Sequence, residues 1–260
     1  MAITLASLKK GREIKPPLIV LYGVHGIGKT SWAAEAIDPV ICQTEEGANT
    51  LDVVKFPLSR SIHDVFGAIS ALMNEEHSFK TFVLDTIDWY ERLVHNEVRQ
   101  KHGESIFADY GKGYKFSIPY FDQLLQALTA LRDSRQMSVI VLGHAKVSQF
   151  SAPDVPSYDR YSLDLHESVA TAVEEWADAV LFANYRVYVN QEDVGFGKKE
   201  GKAVGKGDRV LYTQERPPYR AKNRYNLPPE IPLSYESFLR YMQEGLKSME
   251  KNTRPEIQKV

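Results

Sequence analysis

An aliphatic run that leads directly into a glycine-rich turn constrains this chain more than any other feature of its sequence. Residues 18–22 are continuously apolar, which is typical of a strand buried on both faces of a parallel sheet. The eight residues that follow, Gly23 to Thr30, fit the pattern G-x-x-x-x-G-K-[ST]. In this pattern the glycines let backbone N–H groups turn inward around a phosphate, and the next helix adds the positive end of its dipole. The segment therefore predicts a phosphate-binding loop between a strand and a helix.

The side chains at the end of this loop indicate which ligand it takes. Lys29 is expected to bridge the β- and γ-phosphates of a nucleoside triphosphate, and the Thr30 hydroxyl to bind Mg²⁺. The predicted cofactors are therefore ATP and Mg²⁺, and the alternative is a chance glycine-rich turn. The residues predicted to bind the nucleotide are Gly23, Gly26, Ile27, Gly28, Lys29, Thr30 and Ser31.

A second metal ligand is expected at the end of a neighbouring strand. Residues 81–84 form another short apolar run, and Asp85 follows it directly. A carboxylate at this place would bind the Mg²⁺ together with Thr30, because Mg²⁺ prefers oxygen ligands. The alternative for Asp85 is a plain cap on the end of the strand. Asp88 is expected to cap the next helix or to assist the metal through water.

The residues around Asp85 differ from those of two classes of phosphate-loop protein. The Asn-Lys-x-Asp motif of GTPases is absent from the sequence, and Asp88 stands where their Asp-x-x-Gly motif would place a glycine after Asp85. AAA+ ATPases place a glutamate directly after the magnesium aspartate, and Thr86 occupies that position here. The base that activates water is therefore expected elsewhere. Glu45 and Glu46 follow the second strand, at the sheet edge where such folds bind ligands, although a solvated acidic turn is the alternative.

The rest of the chain alternates predicted strands and helices. This alternation predicts an α/β fold, with a mostly parallel sheet flanked by helices and an antiparallel C-terminal hairpin extension. The predicted helices cover 31–37, 64–73, 89–101, a segment that begins at Pro119, 167–176 and 234–249, and the later strands cover 138–143, 179–189 and 209–213. The predicted units are a lead-in (1–17), a core (18–233) that includes a basic hairpin (190–213), a C-terminal helix (234–250) and a flexible tail (251–260).

Composition limits the partners of the chain. The 32 Lys and Arg residues nearly balance the 34 Asp and Glu residues, which excludes a uniformly basic nucleic-acid binder. Residues 198–224, however, hold nine cations against three acids, and such a patch suits a phosphate backbone. The single Cys42 excludes an intrachain disulfide and a four-cysteine zinc site. No apolar run approaches the roughly 20 residues that cross a bilayer, so we expect a cytoplasmic protein without a membrane partner.

Taken in order, these motifs resemble those of the RecA-like ATPases, and most of all the short phage-encoded single-strand annealing proteins built on a RecA core. The resemblance spans about residues 15–235. The matching pieces are the Gly23–Thr30 loop, the Thr44-Glu45 pair, Asp85, His144 after the fourth strand, and the segments 175–178 and 216–224.

The resemblance implies roles for several of these residues. Glu45 would be the catalytic base beside Lys29, and His144 the polar sensor that links the γ-phosphate to the loop behind it. RecA itself usually has a glutamine at the sensor position. The resemblance also implies a homo-oligomer, a ring or a filament, with active sites between subunits. Lys222 and Arg224 would then act in trans on the γ-phosphate, with DNA contact or a structural ion pair as the alternatives.

RecA-like proteins hold DNA with two loops, and the resemblance places them here at 103–117 and 146–165. Both segments interleave cations, aromatic residues and glycines, which suits phosphates and unpaired bases. Ordinary mobile surface loops are the alternative. The residues predicted to contact single-stranded DNA are Lys112, Tyr114, Lys115, Lys146 and Arg160.

The leading functional hypothesis is a phage-encoded ATPase, slow and stimulated by DNA, that binds single-stranded DNA and promotes annealing or recombination in the host cytoplasm. A single-strand DNA-binding protein is a further expected partner. Three alternatives remain open: a replication helicase or helicase loader, a small-molecule phosphotransferase, and a nucleotide-binding module that hardly turns over. Duplex unwinding would favour the first of these, and a metabolite-dependent ATPase activity the second.

Overall fold

Nine strands in the described part of the chain form one sheet, with helices on both of its faces. The computed structural model describes residues 4–8, 10–11, 13–47, 50–193 and 199–251. The strands are β1 (Leu18–Gly23), β2 (Pro39–Gln43), β3 (Thr81–Asp85), β4 (Ser138–Ala152), β5 (Val155–Leu163), β6 (Ala179–Asp193), β7 (Lys199–Tyr212), β8 (Lys222–Asn223) and β9 (Glu230–Pro232). The helices are α1 (Lys29–Ala34), α2 (Ile62–Asn74), α3 (Ile87–His102), α4 (Lys112–Arg135), α5 (Glu167–Trp176) and α6 (Tyr235–Lys251), with 3₁₀ turns at Leu5–Ser7 and Glu104–Phe107.

Five strands at the centre of the sheet run parallel, in the order β2-β3-β4-β1-β6. Alternate residues of β1 enter two separate cores. Val20 and Tyr22 pack in the core covered by α2, α3, α4 and α5, whereas Ile19 and Leu21 pack in the core covered by α1 and α6. A strand buried on both faces must be continuously apolar, which explains the sequence of β1. The arrangement confirms the predicted α/β fold class, with a mostly parallel sheet flanked by helices.

The strand register aligns the carboxyl ends of the central strands. Gly23 at the end of β1 pairs with His144 on β4. Gln43 at the end of β2 pairs with Asp85 at the end of β3. The residues that follow these strand ends therefore share one edge of the sheet, which is where ligands bind in open parallel sheets.

Two long antiparallel hairpins continue beyond this edge. After His144, β4 turns away from β1 and pairs with β5, from Ala145 to Ala152. The second hairpin joins β6 to β7, and β9 then pairs with β7 on its other side. The predicted antiparallel C-terminal hairpin is thus confirmed, with strands longer than expected. Residues 194–198, which include one of the counted lysines, lie outside the described residues.

The two segments predicted to be DNA-binding loops, 103–117 and 146–165, form regular secondary structure instead. Residues 104–107 form a 3₁₀ turn and α4 begins at Lys112, so most of the segment 103–117 is helical. The segment 146–165 belongs mainly to the β4–β5 hairpin. Side chains along β4 alternate between exposed and partly covered from Lys146 onward, and this period of two is the signal of a strand. The segment 146–165 is therefore a pair of strands rather than the predicted loop.

Two helix boundaries also differ from the prediction. Pro119 lies inside α4 rather than in its first turn, because the helix starts earlier, at Lys112. The earlier turns are held by tertiary packing, since the Tyr114 ring contacts the rings of His95, Phe107 and His166. Such packing outweighs the hydrogen bond that proline cannot donate. Helix α1 ends at Ala34, three residues before the predicted end.

The chain ends are described only in part. Residues 252–260, most of the predicted flexible tail, lie outside the described residues, as do residues 1–3, 9 and 12 of the predicted lead-in. None of the helices in the described part of the chain combines the length and apolar character that crossing a membrane requires.

Packing of the terminal helix α6 predicts a measurable loss of stability. Phe238 is fully buried and makes an edge contact with Trp32 of α1, with ring centroids 5.6 Å apart. We expect Phe238→Ala to lower the free energy of unfolding by about 3–5 kcal/mol, because it removes a buried ring and leaves a cavity. Denaturant titration followed by circular dichroism measures this loss. Phe238→Leu should cost much less, and an equal loss in both variants would contradict the packing argument.

Candidate functional site

The turn between β1 and α1 has the backbone that its glycines predict. Gly26 and Gly28 have φ values of 71° and 106°, a region that residues with a Cβ rarely adopt. Gly23 is required for a different reason, because a Cβ there would lie 2.3 Å from the carbonyl oxygen of Ala183. The motif therefore forms a tight loop that ends at the first residues of α1.

Lys29 points back into this loop. Its Nζ donates to the carbonyl oxygens of Gly23 at 3.1 Å and Val24 at 3.3 Å. The side chain is only 7% exposed. Burial lowers the pKa of Lys29, although Asp88, Asp85 and Glu45 oppose this effect. The structure thus buries an ammonium group whose hydrogen bonds go to neutral carbonyl groups, and such a cation favours an anionic ligand.

Thr30 and Asp85 meet at the base of the cleft. The Thr30 hydroxyl donates to Oδ2 of Asp85 at 2.9 Å, and Asp85 is 2% exposed. Burial raises the pKa of Asp85 to about 6, and the charge of Glu45 adds to the rise. A hydroxyl oxygen and a buried carboxylate are ligands that suit Mg²⁺. Among the described residues, no group of three or more acidic, histidine or cysteine side chains lies close enough together to hold a metal.

A pair of threonines fixes the backbone beside Asp85 and thereby the position of Glu45. The Thr44 amide donates to the carbonyl of Asp85, and the Thr44 hydroxyl both donates to the Thr86 carbonyl and accepts from the Thr86 amide. The Thr86 hydroxyl then donates to Oε1 of Glu45 at 3.3 Å. Glu45 lines the cleft, whereas Glu46 is exposed and does not line it. The geometry therefore favours Glu45 over Glu46 as the residue that would contact a bound nucleotide.

His144 lines the cleft and lies close to three residues, Asp88, His25 and Glu45. Its Nδ1 lies 2.9 Å from Oδ2 of Asp88, and its backbone N–H donates to Oδ1 of Asp88 at 3.0 Å. Its ring stacks on the ring of His25, with centroids 4.1 Å apart. Its Nε2 lies 3.8 Å from Oε1 of Glu45. The predicted sensor and the predicted base are thus neighbours in the structure.

These groups surround a cleft of about 370 Å³ at the carboxyl edge of the sheet. All of the predicted catalytic and metal-binding side chains line it: Lys29, Thr30, Glu45, Asp85 and His144. Of the other residues predicted to bind the nucleotide, Gly26, Gly28 and Ser31 also line the cleft. Gly23 lies behind it at the end of β1, and the side chain of Ile27 is fully buried in the core.

Sequence reasoning missed three contributors to the site. Asp88 was expected to cap α3, but the cap position is Thr86 and Asp88 binds His144 instead. His25 stands at a variable position of the motif, so the pattern gave no signal for its stacking. Arg209 was counted only as part of the basic segment, yet its Nη1 donates to the carbonyl of Ile27 at 3.2 Å. Contacts between residues so far apart in sequence leave no local pattern.

The three residues predicted to contact DNA from the first loop differ in their accessibility. Lys115 is exposed, and Lys112 is exposed but pairs with Asp109 at 2.7 Å. Tyr114 is partly buried, because its ring stacks on that of His166. Tyr110, which the predicted set left out, is 98% exposed. Tyr110 and Lys115 are therefore the more accessible aromatic and cationic groups of this segment.

The two predicted contacts from the second loop are both engaged within the chain. Nζ of Lys146 donates to the carbonyl of Leu165 and lies 3.7 Å from a carboxylate oxygen of Asp164. Arg160 is 8% exposed, lies over the ring of Phe150 and pairs with Glu215 at 3.4 Å. The burial of Arg160 argues against its predicted contact with a DNA phosphate.

Lys222 and Arg224, the predicted trans residues, also have partners in their own chain. The ammonium of Lys222 donates to the carbonyls of Glu174 and Glu175 in the last turn of α5 and to that of Ala177, the residue that follows the helix. All three of its protons are thereby used to cap a helix terminus. Arg224 pairs with Asp178 at 3.0 Å and its side chain remains 56% exposed. Of the two, Arg224 is the more exposed.

Comparison with known proteins identifies one matching family. The model of the AAA_24 family, described as an AAA domain, matches residues 15–225. The comparison with curated proteins finds no match. Among solved structures, the crystal structure of the RadB recombinase is 13% identical in sequence and has a TM-score of 0.45, with 86% of this chain and 90% of that chain covered.

The raised pKa of Asp85 predicts a pH-dependent stability. The pKa of Asp85 is near 6 in the folded state and about 3.9 in the unfolded state, so the folded state binds this proton more tightly. Protonation of Asp85 therefore stabilises the fold, and the effect is complete below pH 4. This contribution is lost as the pH rises through 6. We expect Asp85→Asn to be more stable than the wild type at pH 8, by about 3 kcal/mol at most, and the difference to disappear near pH 4.

Denaturant titrations of the metal-free protein at pH 4, 6 and 8 measure this difference. Asp122→Asn, at an exposed position of α4, is the matched control and should leave the pH profile unchanged. A variant at Asp85 that is less stable than the wild type at every pH would contradict the desolvation argument.

Proposed function

The chain belongs to the AAA_24 family of AAA domains, and from that premise we propose that it binds and hydrolyses ATP in the cleft at the carboxyl edge of its sheet. The observation that carries the proposal is the convergence of Lys29, Glu45 and Asp85 in one cleft. These side chains come from three separate segments, and only the strand register brings them together. Transfer of a phosphoryl group to water is served by a cation beside the phosphates, a carboxylate that binds the metal and a second carboxylate that orients the water.

The chemistry divides among the residues of the cleft. Lys29 would exchange its two carbonyl partners for phosphate oxygens and stabilise the negative charge of the transition state. Thr30 and Asp85 would hold Mg²⁺, which neutralises phosphate charge when bound. Glu45 would orient a water molecule and accept its proton while the bond from the γ-phosphorus to the leaving oxygen breaks. The products are ADP and phosphate.

Glu45 and Lys29 are expected to fail in different ways. Glu45→Gln should keep ATP binding and lower kcat by about 10²–10⁴-fold, because it removes a general base but no phosphate contact. Lys29→Ala should lose ATP binding itself. Titration calorimetry with a non-hydrolysable ATP analogue and a phosphate-release assay separate the two effects.

Glu46→Gln is the matched control, since this neighbouring glutamate lies outside the cleft lining, and its kcat should be unchanged. Normal turnover in Glu45→Gln would refute the assignment of the base. Undiminished ATP affinity in Lys29→Ala would refute the phosphate-binding role of the loop.

We further propose that the ATPase acts on single-stranded DNA, as an oligomer that promotes annealing or recombination and is phage-encoded. Support comes from the basic segment 198–224 and from the segment that carries Tyr110 and Lys115. An exposed aromatic ring and a neighbouring cation suit an unpaired base and its phosphate. In the oligomer, Arg224 would act on the nucleotide of the neighbouring subunit, whereas Lys222 would keep its place at the end of α5.

The exposed residues of the 110–115 segment provide the test of DNA binding. Tyr110→Ala should weaken binding of a labelled oligothymidylate by about 1–3 kcal/mol, because one stacking contact is lost. Lys115→Ala should reduce the slope of log K against log salt by somewhat less than one unit. Fluorescence anisotropy at several salt concentrations measures both quantities.

Lys80→Ala is the control, because this exposed lysine lies at the start of β3, at the opposite edge of the sheet from the cleft. Unchanged affinity in both test variants would refute a DNA contact of this segment. Unwinding of a duplex by the wild-type protein would redirect the proposal to a helicase.

A further inference from the structure

Asp88 contacts the cleft residue His144 from outside the cleft lining, and the proposed mechanism does not use it. It lies in the first turn of α3, is buried, and accepts two hydrogen bonds from a single residue, His144. One comes from the backbone N–H of His144 and the other from the ring. Burial alone would raise the pKa of Asp88, but the hydrogen bonds and the electrostatic attraction of His144, together with a hydrogen bond from Thr86, outweigh burial and hold the pKa below its ordinary value. Asp88 is therefore ionised at neutral pH.

An ionised Asp88 determines which ring nitrogen of His144 carries a proton. A carboxylate only accepts hydrogen bonds, so Nδ1 of His144, 2.9 Å away, must be the N–H. In the neutral ring, Nε2 is then a hydrogen-bond acceptor. The stack on His25 fixes the plane of the same ring. Both the orientation and the tautomer of His144 are thus set before any ligand enters the cleft.

The acceptor nitrogen faces the proposed catalytic base. Nε2 of His144 and Oε1 of Glu45 are 3.8 Å apart, which is too long for a direct hydrogen bond. At this distance both atoms can bind the same water molecule, and polar contacts longer than 3.5 Å are often bridged in this way. A water held between two acceptors donates a hydrogen to each of them, so its lone pairs point away from both.

We propose that Asp88 is a positioning residue, which fixes His144 as an acceptor so that His144 and Glu45 together orient the attacking water. This inference rests on the proposed ATPase function and extends it to a residue outside the phosphate contacts. Glu45 takes the proton of the water as its oxygen bonds to the γ-phosphorus, while His144 retains its own proton on Nδ1. Hydrogen-bonded partners behind metal-binding histidines contribute about 10–100-fold to affinity or activity, and we expect an effect of the same order for a partner that fixes a water-orienting histidine.

The decisive variant is Asp88→Asn, which preserves the size of the side chain. Its amide oxygen can keep the bond from the His144 backbone, but its NH₂ group faces Nδ1 and favours the opposite tautomer, with the proton on Nε2. We expect kcat to fall by about 10–100-fold with little change in KM, because no phosphate contact is altered. In a His144→Gln background, Asp88→Asn should lower kcat by less than about 2-fold further, since Asp88 would act only through His144.

Two controls separate positioning from stability. Asp64→Asn changes another aspartate in the first turn of a helix, α2, where Asp64 forms a capping box with Ser61 away from the cleft lining; it should alter the melting temperature without altering kcat. Two-bond ¹H–¹⁵N correlation spectra of the wild-type protein should show His144 with its proton on Nδ1, and this measurement requires no variant.

The outcomes discriminate between the two proposals. Wild-type kcat in folded Asp88→Asn, equal losses in the presence and absence of His144, or a proton on Nε2 in the wild type would each overturn the role of Asp88. If the wild-type protein hydrolysed no ATP, the proposed function would fail, while the spectra would still decide whether Asp88 sets the tautomer of His144.

Discussion

The register of the parallel strands is the constraint on which the candidate site depends. Gly23 pairs with His144, and Gln43 pairs with Asp85. A shift of one residue in either pairing would turn the side chains of a whole strand to the other face of the sheet. The two buried cores prevent such a shift, because each strand residue is specified by the core it enters. The geometry of the cleft is therefore a consequence of hydrophobic packing as much as of the polar residues that line it.

Within the cleft, burial works against the charges that the proposed chemistry needs. It lowers the pKa of Lys29 and raises that of Asp85, so each group is pushed toward its neutral form. The hydrogen bond from Thr30 and the carbonyl partners of Lys29 offset only part of this cost. A ligand that brings both phosphate anions and a divalent cation would compensate both groups at once. A site whose charges and dipoles are already oriented for a charged transition state lowers the free energy of unfolding of the ligand-free protein, because those charges are buried without full compensation.

Local patterns were sufficient where the physics is local. The loop before α1 and the helix α2 are predicted correctly because a glycine motif and a helical spacing of apolar residues are read from neighbouring residues. The start of α4 was not, because it depends on ring contacts of Tyr114 with residues on α3 and after β5. The prediction that Asp88 caps α3 is wrong for the same reason. Its position at the start of a helix indicates a cap, but its hydrogen-bond partner, His144, lies 56 residues away. The segment 146–165 is a third case, because the alternation of exposed and partly covered side chains along β4 is that of a strand and not of the predicted loop.

Both long hairpins begin beside β1, and this placement connects them to the phosphate loop. His144 lies at the root of the β4–β5 hairpin and stacks on His25 within the loop. Arg209 lies near the root of the β6–β7 hairpin and binds the carbonyl of Ile27 in the same loop. A Cβ on Gly28 would lie 2.8 Å from Nη1 of Arg209, so the second contact is as close as the loop permits. The two strands beside β1, β4 and β6, each continue into one of the hairpins. In the proposed function, a rearrangement of the phosphate loop on ligand binding would therefore change contacts with both hairpins.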